Sequence, residues 1–158
     1  MVEESASQST NIRSWRIAIV VSSYNESITG KLKTGAVDTC LAFGLDPKQL
    51  LVLDVPGAWE LPVVTARLIK RSDIHGAIAL GAVIRGETSH DEHINRAVSL
   101  ALMNLSVETG KPIGFGLLTC NTVEQAIHRS GGNVGNKGIE TAEAVLKLLQ
   151  IQAQVDLL

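Results

Sequence analysis

Apolar residues follow two alternating rhythms along this chain. Short unbroken runs rich in branched side chains occupy 16–22, 50–55, 77–84 and 113–119. Runs of that length, without polar alternation, predict strands buried on both faces. Between them, apolar positions recur every three or four residues, the signature of helices. The spacing predicts a helix over 27–43, with Ile28, Leu32, Ala36 and Cys40 one turn apart and Gly44 as the stop. A second runs over 60–70, with Pro62 tolerated in its first turn. A third spans 91–108, its stripe made of Ile94, Ala97, Val98, Ala101, Leu102 and Leu105, ended by Gly110 and Pro112. A short helix covers 122–129, and the last runs over 138–152 with Ala142, Val145, Leu146 and Leu149 inward. Ser89 with Glu92, and Thr122 with Gln125, have the spacing of capping boxes.

Strict alternation of strand and helix implies parallel strands covered on both sides. The expected architecture is a three-layer α/β/α domain around a doubly wound, flavodoxin-like, parallel four-stranded sheet. The 158 residues suit one such domain over 15–158, preceded by a polar, flexible N-terminal arm over 1–14. An apolar fraction of 45% is rich enough to imply that both sheet faces, or an oligomer contact, are hidden. The net charge of -2, with no basic stripe, gives no nucleic-acid footprint. The arm carries Glu3 and Glu4 and no apolar core of a signal peptide, and no run is long enough to cross a bilayer. The expected compartment is the cytoplasm. Cys40 and Cys120 read as buried thiols in a reducing environment; a disulfide or a catalytic thiol are the alternatives.

Doubly wound sheets bind ligands in the loops at the carboxyl ends of their strands. The loop at 22–26 holds Tyr24, the only tyrosine. The string Val-Pro-Gly-Ala-Trp-Glu-Leu-Pro at 55–62 lets Gly57 turn tightly and brings Trp59 and Glu60 to the mouth. Gly-Ala-Val-Ile-Arg-Gly-Glu-Thr-Ser-His at 81–90 ends a strand and opens a helix. The N–H groups of a helix start, with the Thr88 hydroxyl, suit an anion. His90 stands in the first turn, where an imidazole can shuttle a proton. Phe115 and Arg129 make a fourth candidate, Arg129 lying just before the glycine-rich stretch 130–138 and able to clamp a phosphate. Each has a structural alternative: a core-covering Tyr, a packed Trp with a capping Glu, a surface His, an Arg facing a helix dipole. Yet Tyr24, Trp59 and Phe115 are three of only five aromatic residues. Stacking on a flat heterocycle explains that bias, and the anion site adds a phosphorylated partner. Gly114-Phe115-Gly116 lies in a strand and lacks a third glycine, so it is no dinucleotide fingerprint. His90 and His93 share a helical face, but no third ligand at metal spacing accompanies them.

The strings at 55–62 and 81–90, followed by Gly-Asn-Lys-Gly at 135–138, resemble lumazine synthases in order and spacing over nearly all the chain beyond the arm. The resemblance implies condensation of 5-amino-6-(D-ribitylamino)uracil with 3,4-dihydroxy-2-butanone 4-phosphate, giving 6,7-dimethyl-8-ribityllumazine, phosphate and water, with no metal or redox cofactor. It implies that Tyr24, Ala58, Trp59, Glu60, Ala82, Val83, Ile84 and Phe115 bind the pyrimidine and its ribityl chain. Gly86, Glu87, Thr88 and Arg129 would bind the butanone phosphate, with Lys137 as a further candidate. His90 would transfer protons, and Arg129 would assist as phosphate departs. Tyr24 departs from the Phe or Trp usual in relatives, and Asp91 from a common aromatic. The implied assembly is a pentamer, in some members twelve to a sixty-subunit shell, with active sites between subunits. The arm would add a strand to a neighbour's sheet, here through residues 12–15. Riboflavin synthase is an implied partner. A flavin- or lumazine-binding relative without turnover, and an unrelated phosphate-binding domain, are the competing readings.

Overall fold

A computed structural model of the chain describes residues 12–158. Its elements are β1 (Ile17–Ser22), α1 (Glu26–Phe43), β2 (Leu50–Val55), α2 (Leu61–Ile69), β3 (Gly76–Ile84), α3 (His90–Thr109), β4 (Ile113–Cys120), α4 (Val123–Arg129), β5 (Ser130–Gly132), β6 (Gly135–Asn136) and α5 (Lys137–Val155). The first four strands form one parallel sheet in the order β2-β1-β3-β4. This is the doubly wound arrangement expected from the alternation, with the order reversing between β1 and β3.

Alternate side chains of the sheet feed two separate cores, as the pleat requires. Ile17, Ile19, Val21, Ile78 and Leu80 meet α1 and α5 through Ile28, Leu32, Ala36, Val145 and Leu146. Ala18, Val20, Ala77, Ala79 and Leu117 meet α2 and α3 through Leu61, Leu68, Ile69, Val98 and Leu102. Each fully buried Ile or Leu contributes about 1.5–3 kcal/mol relative to exposure, so the central strands carry much of the stability. Gly114 and Gly116 are explained on the first face. A β-carbon on Gly114 would stand 2.5 Å from Thr141 and 2.8 Å from Val145, so bare backbone lets α5 lie close to β4.

The ends follow local chemistry. Gly44 terminates α1 at φ 117, its N–H donating to the carbonyls of Cys40 and Leu41. Thr122 caps α4 by accepting from the Gln125 N–H at 3.2 Å, while the Gln125 side chain accepts from Asn121 rather than from Thr122. The expected Ser89–Glu92 box does not form: Ser89 sits at φ -79, ψ 12, outside the extended region a capping side chain needs, and makes no side-chain cap. The stretch expected as a bare turn at 131–138 contains the β5–β6 ribbon. Of the stripe expected on α3, only Val98 and Leu102 are buried, and Ala97 is exposed.

Residues 12–14 form a helical turn, and Trp15 is buried with its ring stacked on Phe43 at 6.3 Å. The Gln49 side-chain amide donates to the carbonyls of Ile12 and Trp15 at 2.8 and 2.6 Å. Residues 12–15, through which pairing with a neighbour is expected, are here folded onto their own chain. The rest of the arm, 1–11, lies outside the described residues.

Candidate functional site at the switch point

The loops following β1, β2 and β3 converge where the strand order reverses, the place such sheets reserve for ligands. They enclose a cleft of about 370 Å³. Backbone bonds seat the first loop on the second: the Ser23 N–H donates to Val55 O at 2.8 Å and the Tyr24 N–H to Pro56 O at 3.1 Å. Tyr24 and Trp59 rise from these two loops with 72% and 60% of their surface exposed, although both are large and apolar-bodied. Ala58 is buried beneath them, and Glu60 is half-buried at the end of a short 3-10 turn over Ala58–Glu60. Gly57 leads into that turn, and a β-carbon there would crowd the Glu60 carboxylate at 3.1 Å.

The last residues of β3, Ala82, Val83 and Ile84, form the apolar wall. Beyond them Gly86, Thr88, His90 and Asp91 complete the rim. Thr88 Oγ1 lies 3.5 Å from the His90 N–H, a long contact at the entry to α3. One Asp91 carboxylate oxygen is shielded from solvent with no hydrogen-bond partner, and so is the Asn95 side-chain oxygen one turn on. Glu87 is exposed and does not line the cleft. Among the described residues no group of three or more His, Cys, Asp or Glu side chains is placed to hold a metal ion.

Phe115, Arg129 and Lys137 stand elsewhere. They share a second cleft, of about 520 Å³, along the outer edge of β4, with Gln125, His128 and Val134. Phe115 pairs in register with Ala79, three residues before Ala82, or about 10 Å along the strand. Arg129 lies close enough to Cys120 for its charge to favour the thiolate, though burial still raises that thiol above its ordinary range. The residues expected to act together thus fall into two groups on one chain: an aromatic, acid and imidazole group, and an aromatic and cationic group.

Sequence reasoning missed Asn25, which holds the first loop in the left-handed region at φ 63, ψ 48 and donates through Nδ2 to Ala82 O at 2.9 Å. The available signal was its type: Asn tolerates that backbone far better than most residues do. It also missed the work of Asn136 in the Gly-Asn-Lys-Gly string. Asn136 Oδ1 accepts from the N–H groups of Gly138 and Ile139, and its Nδ2 donates to Lys31 O, tying α5 to α1.

The fold is a doubly wound α/β domain whose switch-point cleft gathers two exposed aromatic rings, a carboxylate and an imidazole. The sequence model of the 6,7-dimethyl-8-ribityllumazine synthase family matches residues 14–153. A protein of that name from Rhodopirellula baltica is 50% identical over 145 residues, covering 92% of this chain and 94% of its own. Those from Thermus thermophilus and Nitratidesulfovibrio vulgaris are 44% and 41% identical, over 86% and 89% of this chain and 87% and 90% of theirs. The chain belongs to the 6,7-dimethyl-8-ribityllumazine synthase family, whose members are transferases of riboflavin biosynthesis.

Proposed function

We propose that the chain condenses 5-amino-6-(D-ribitylamino)uracil with 3,4-dihydroxy-2-butanone 4-phosphate in a site completed by a second copy of itself. The observation that carries this reading is the switch-point cleft, which unites Tyr24, Trp59, Glu60 and His90 around the wall at 82–84. Tyr24 stacks on the pyrimidine. Ala58, Trp59 and Glu60 hold the ring and ribityl chain, the Glu60 carboxylate accepting from donor groups. The substrate's primary amine attacks the butanone ketone, His90 moves the proton, and one water leaves as the imine forms. Phosphate departs next, its charge met by Arg129 and by N–H groups at Gly86, Glu87 and Thr88. A proton leaves C3 with the phosphate, the enol so formed becomes a ketone at C3, and the ribitylamino nitrogen closes on that new carbonyl as a second water leaves. Both substrates are already reactive, so holding them together supplies much of the rate.

The cationic half acts in trans in this reading. Phe115, Arg129 and Lys137 of one copy close the His90 cleft of the next. Support comes from apolar side chains left outward: Trp59 at the cleft and Val63 after it, then Leu100, Met103 and Val107 at helical spacing further along α3. Two different surfaces meeting head to tail generate a ring when the rotation between copies closes. We assign the ring as a pentamer, with a shell of twelve pentamers as the higher assembly. Riboflavin synthase as a partner and the cytoplasm as the compartment complete the reading; no described helix is long and apolar enough to cross a membrane.

The test is lumazine fluorescence from purified protein with both substrates, beside a blank without protein, because the reaction also runs uncatalysed. Product above the blank, slowed by about a hundredfold in kcat for His90→Ala and weakened in KM for the phosphate substrate by Arg129→Ala, is the expected result. Wild-type protein no faster than the blank rejects it and leaves a lumazine- or flavin-binding protein.

A further inference from the structure

We infer that Asn25 is a positioning residue: its side chain clamps the Tyr24 loop to the cleft wall and thereby sets the gap into which the pyrimidine slides. The inference rests on the reaction proposed above and adds a residue to it. Among the described residues, Asn25 is the only non-glycine at positive φ. Strained backbone of that kind persists where its surroundings require it, and it collects at functional sites. Asn at a helix start ordinarily turns its oxygen onto the N–H groups of the first turn. Here it makes no such cap. The Asn25 main-chain carbonyl accepts from the N–H groups of Ile28 and Thr29 in the first turn of α1 at 2.9 and 3.0 Å. The side chain instead donates to Ala82 O at 2.9 Å.

That carbonyl needs a donor. Pairing between β1 and β3 stops at Val21 with Leu80, so Ala82 lies beyond the reach of β1 while β4 still pairs with it on the far side. The Asn25 amide stands in for the strand that has ended. Because the peptide unit is planar, fixing that carbonyl fixes the whole Ala82–Val83 peptide at the wall. The same residue follows Tyr24 directly, whose N–H is held by Pro56 O. Tyr24 is therefore held from both sides, by the second loop and by the end of β3. Its ring stands largely in solvent, with little packing of its own to orient it. The clamp is what keeps it facing the wall.

Asn25→Gly separates the two parts of this role, since glycine accepts the left-handed backbone freely and removes only the donor. Asn25→Asp keeps the shape and, ionised, offers no donor. Both variants are expected to raise KM for the ribitylaminouracil about three- to tenfold, the range of one lost neutral hydrogen bond. KM for the butanone phosphate and kcat stay within about twofold, and Tm falls by no more than about 4 °C. Calorimetric titration of the ribitylaminouracil alone should show the same loss in Kd without turnover. Unchanged KM and Kd in both variants, or a fall in kcat and Tm with KM unchanged, overturns the clamp. An inactive wild type that still binds the pyrimidine less tightly after Asn25→Gly rejects the proposed reaction and retains the clamp. A wild type that neither binds nor turns over removes both.

Discussion

Gly138, at the start of α5, lies directly against the carbonyl group of Leu32 in the middle of α1. A β-carbon on Gly138 would meet the Leu32 carbonyl carbon at 2.7 Å and its α-carbon at 2.9 Å. Both neighbours are backbone, so neither can rotate away. Alanine is ordinarily the better helix former by about 1 kcal/mol. Here overpacking costs about 1–3 kcal/mol and outweighs that preference. Gly138→Ala should therefore lower Tm by several degrees. Gly30 in α1 supplies the opposite case, with nothing within 4 Å of its β-carbon position. Gly30→Ala should raise stability by about 0.5–1 kcal/mol. Thermal melts of the two variants at equal protein concentration check the pair; equal shifts would show that α1 and α5 can part at no cost.

The α1–α5 contact also marks how far the sequence could be read. The four strands and five main helices were legible because each buries a periodic face, and their bounds fall within a few residues of those the periodicity predicts. The β5–β6 ribbon was not, since Ser130–Gly132 and Gly135–Asn136 are too short and too glycine-rich to show a period. Ser89 misled because spacing alone cannot reveal its backbone angles. The switch-point cleft was legible from its loops, as Tyr24, Trp59, Glu60 and His90 sit at strand ends. The separation of Phe115 and Arg129 from them was not, because it depends on where the outer edge of β4 faces. Asn25 escaped because its role is a single bond to a residue 57 positions away.

Both cysteines should be inert in the native protein. Cys40 is fully buried in the core beside α5, and burial pushes its thiol up to about 11. Cys120 is raised as well, chiefly by burial, with the Arg129 charge opposing. The thiolate is the nucleophile, and at neutral pH little of it exists in either place. An aromatic disulfide reagent at pH 7.5 should label neither residue in minutes, and both at once in denaturant. Rapid labelling of the native protein at Cys40 would mean that the α1 face opens readily.

His75 should make stability fall on mild acidification. Its Nδ1 accepts from the Arg16 N–H at 3.1 Å, which requires that nitrogen to be unprotonated. Burial is the main cause that lowers the ring below its ordinary 6.5, aided by the Lys111 charge and opposed by Asp73. In the unfolded chain the ring takes up a proton below about 6.5 that the folded ring refuses. The unfolded state then binds more protons, so stability rises with pH: it is complete above about 6.5 and is lost progressively as pH falls below it. Asp73, held far below the usual carboxylate range by Arg71, acts only in a more acidic window, below about 3.8. His75→Asn keeps an acceptor oxygen where Nδ1 stood and removes the titration. Urea midpoints at pH 7.5 and 5.5 should differ in the wild type and converge in the variant. An equal drop in both would move the pH dependence to another group.

The division of the site between two clefts on one chain makes its sharpest claim in mixed assemblies. His90→Ala spoils the switch-point cleft and leaves the β4 edge intact, while Arg129→Ala does the reverse. Each variant alone contains no intact pair, whichever copy supplies the second half. If the halves meet across subunits, co-refolding the two variants in equal amounts restores some pairs. An intact His90 cleft, carried by half of the chains, faces an intact Arg129 edge, carried by the other half, at about a quarter of the contacts. Activity should recover to about a quarter of the wild-type value, well above either variant refolded alone. If Arg129 served the cleft of its own chain, every chain in the mixture would still lack one group. The mixture would then be no more active than the average of its parts, and the composite site would be rejected. The readout separates these outcomes because mixing changes only which copies meet, leaving the residues present in the tube the same.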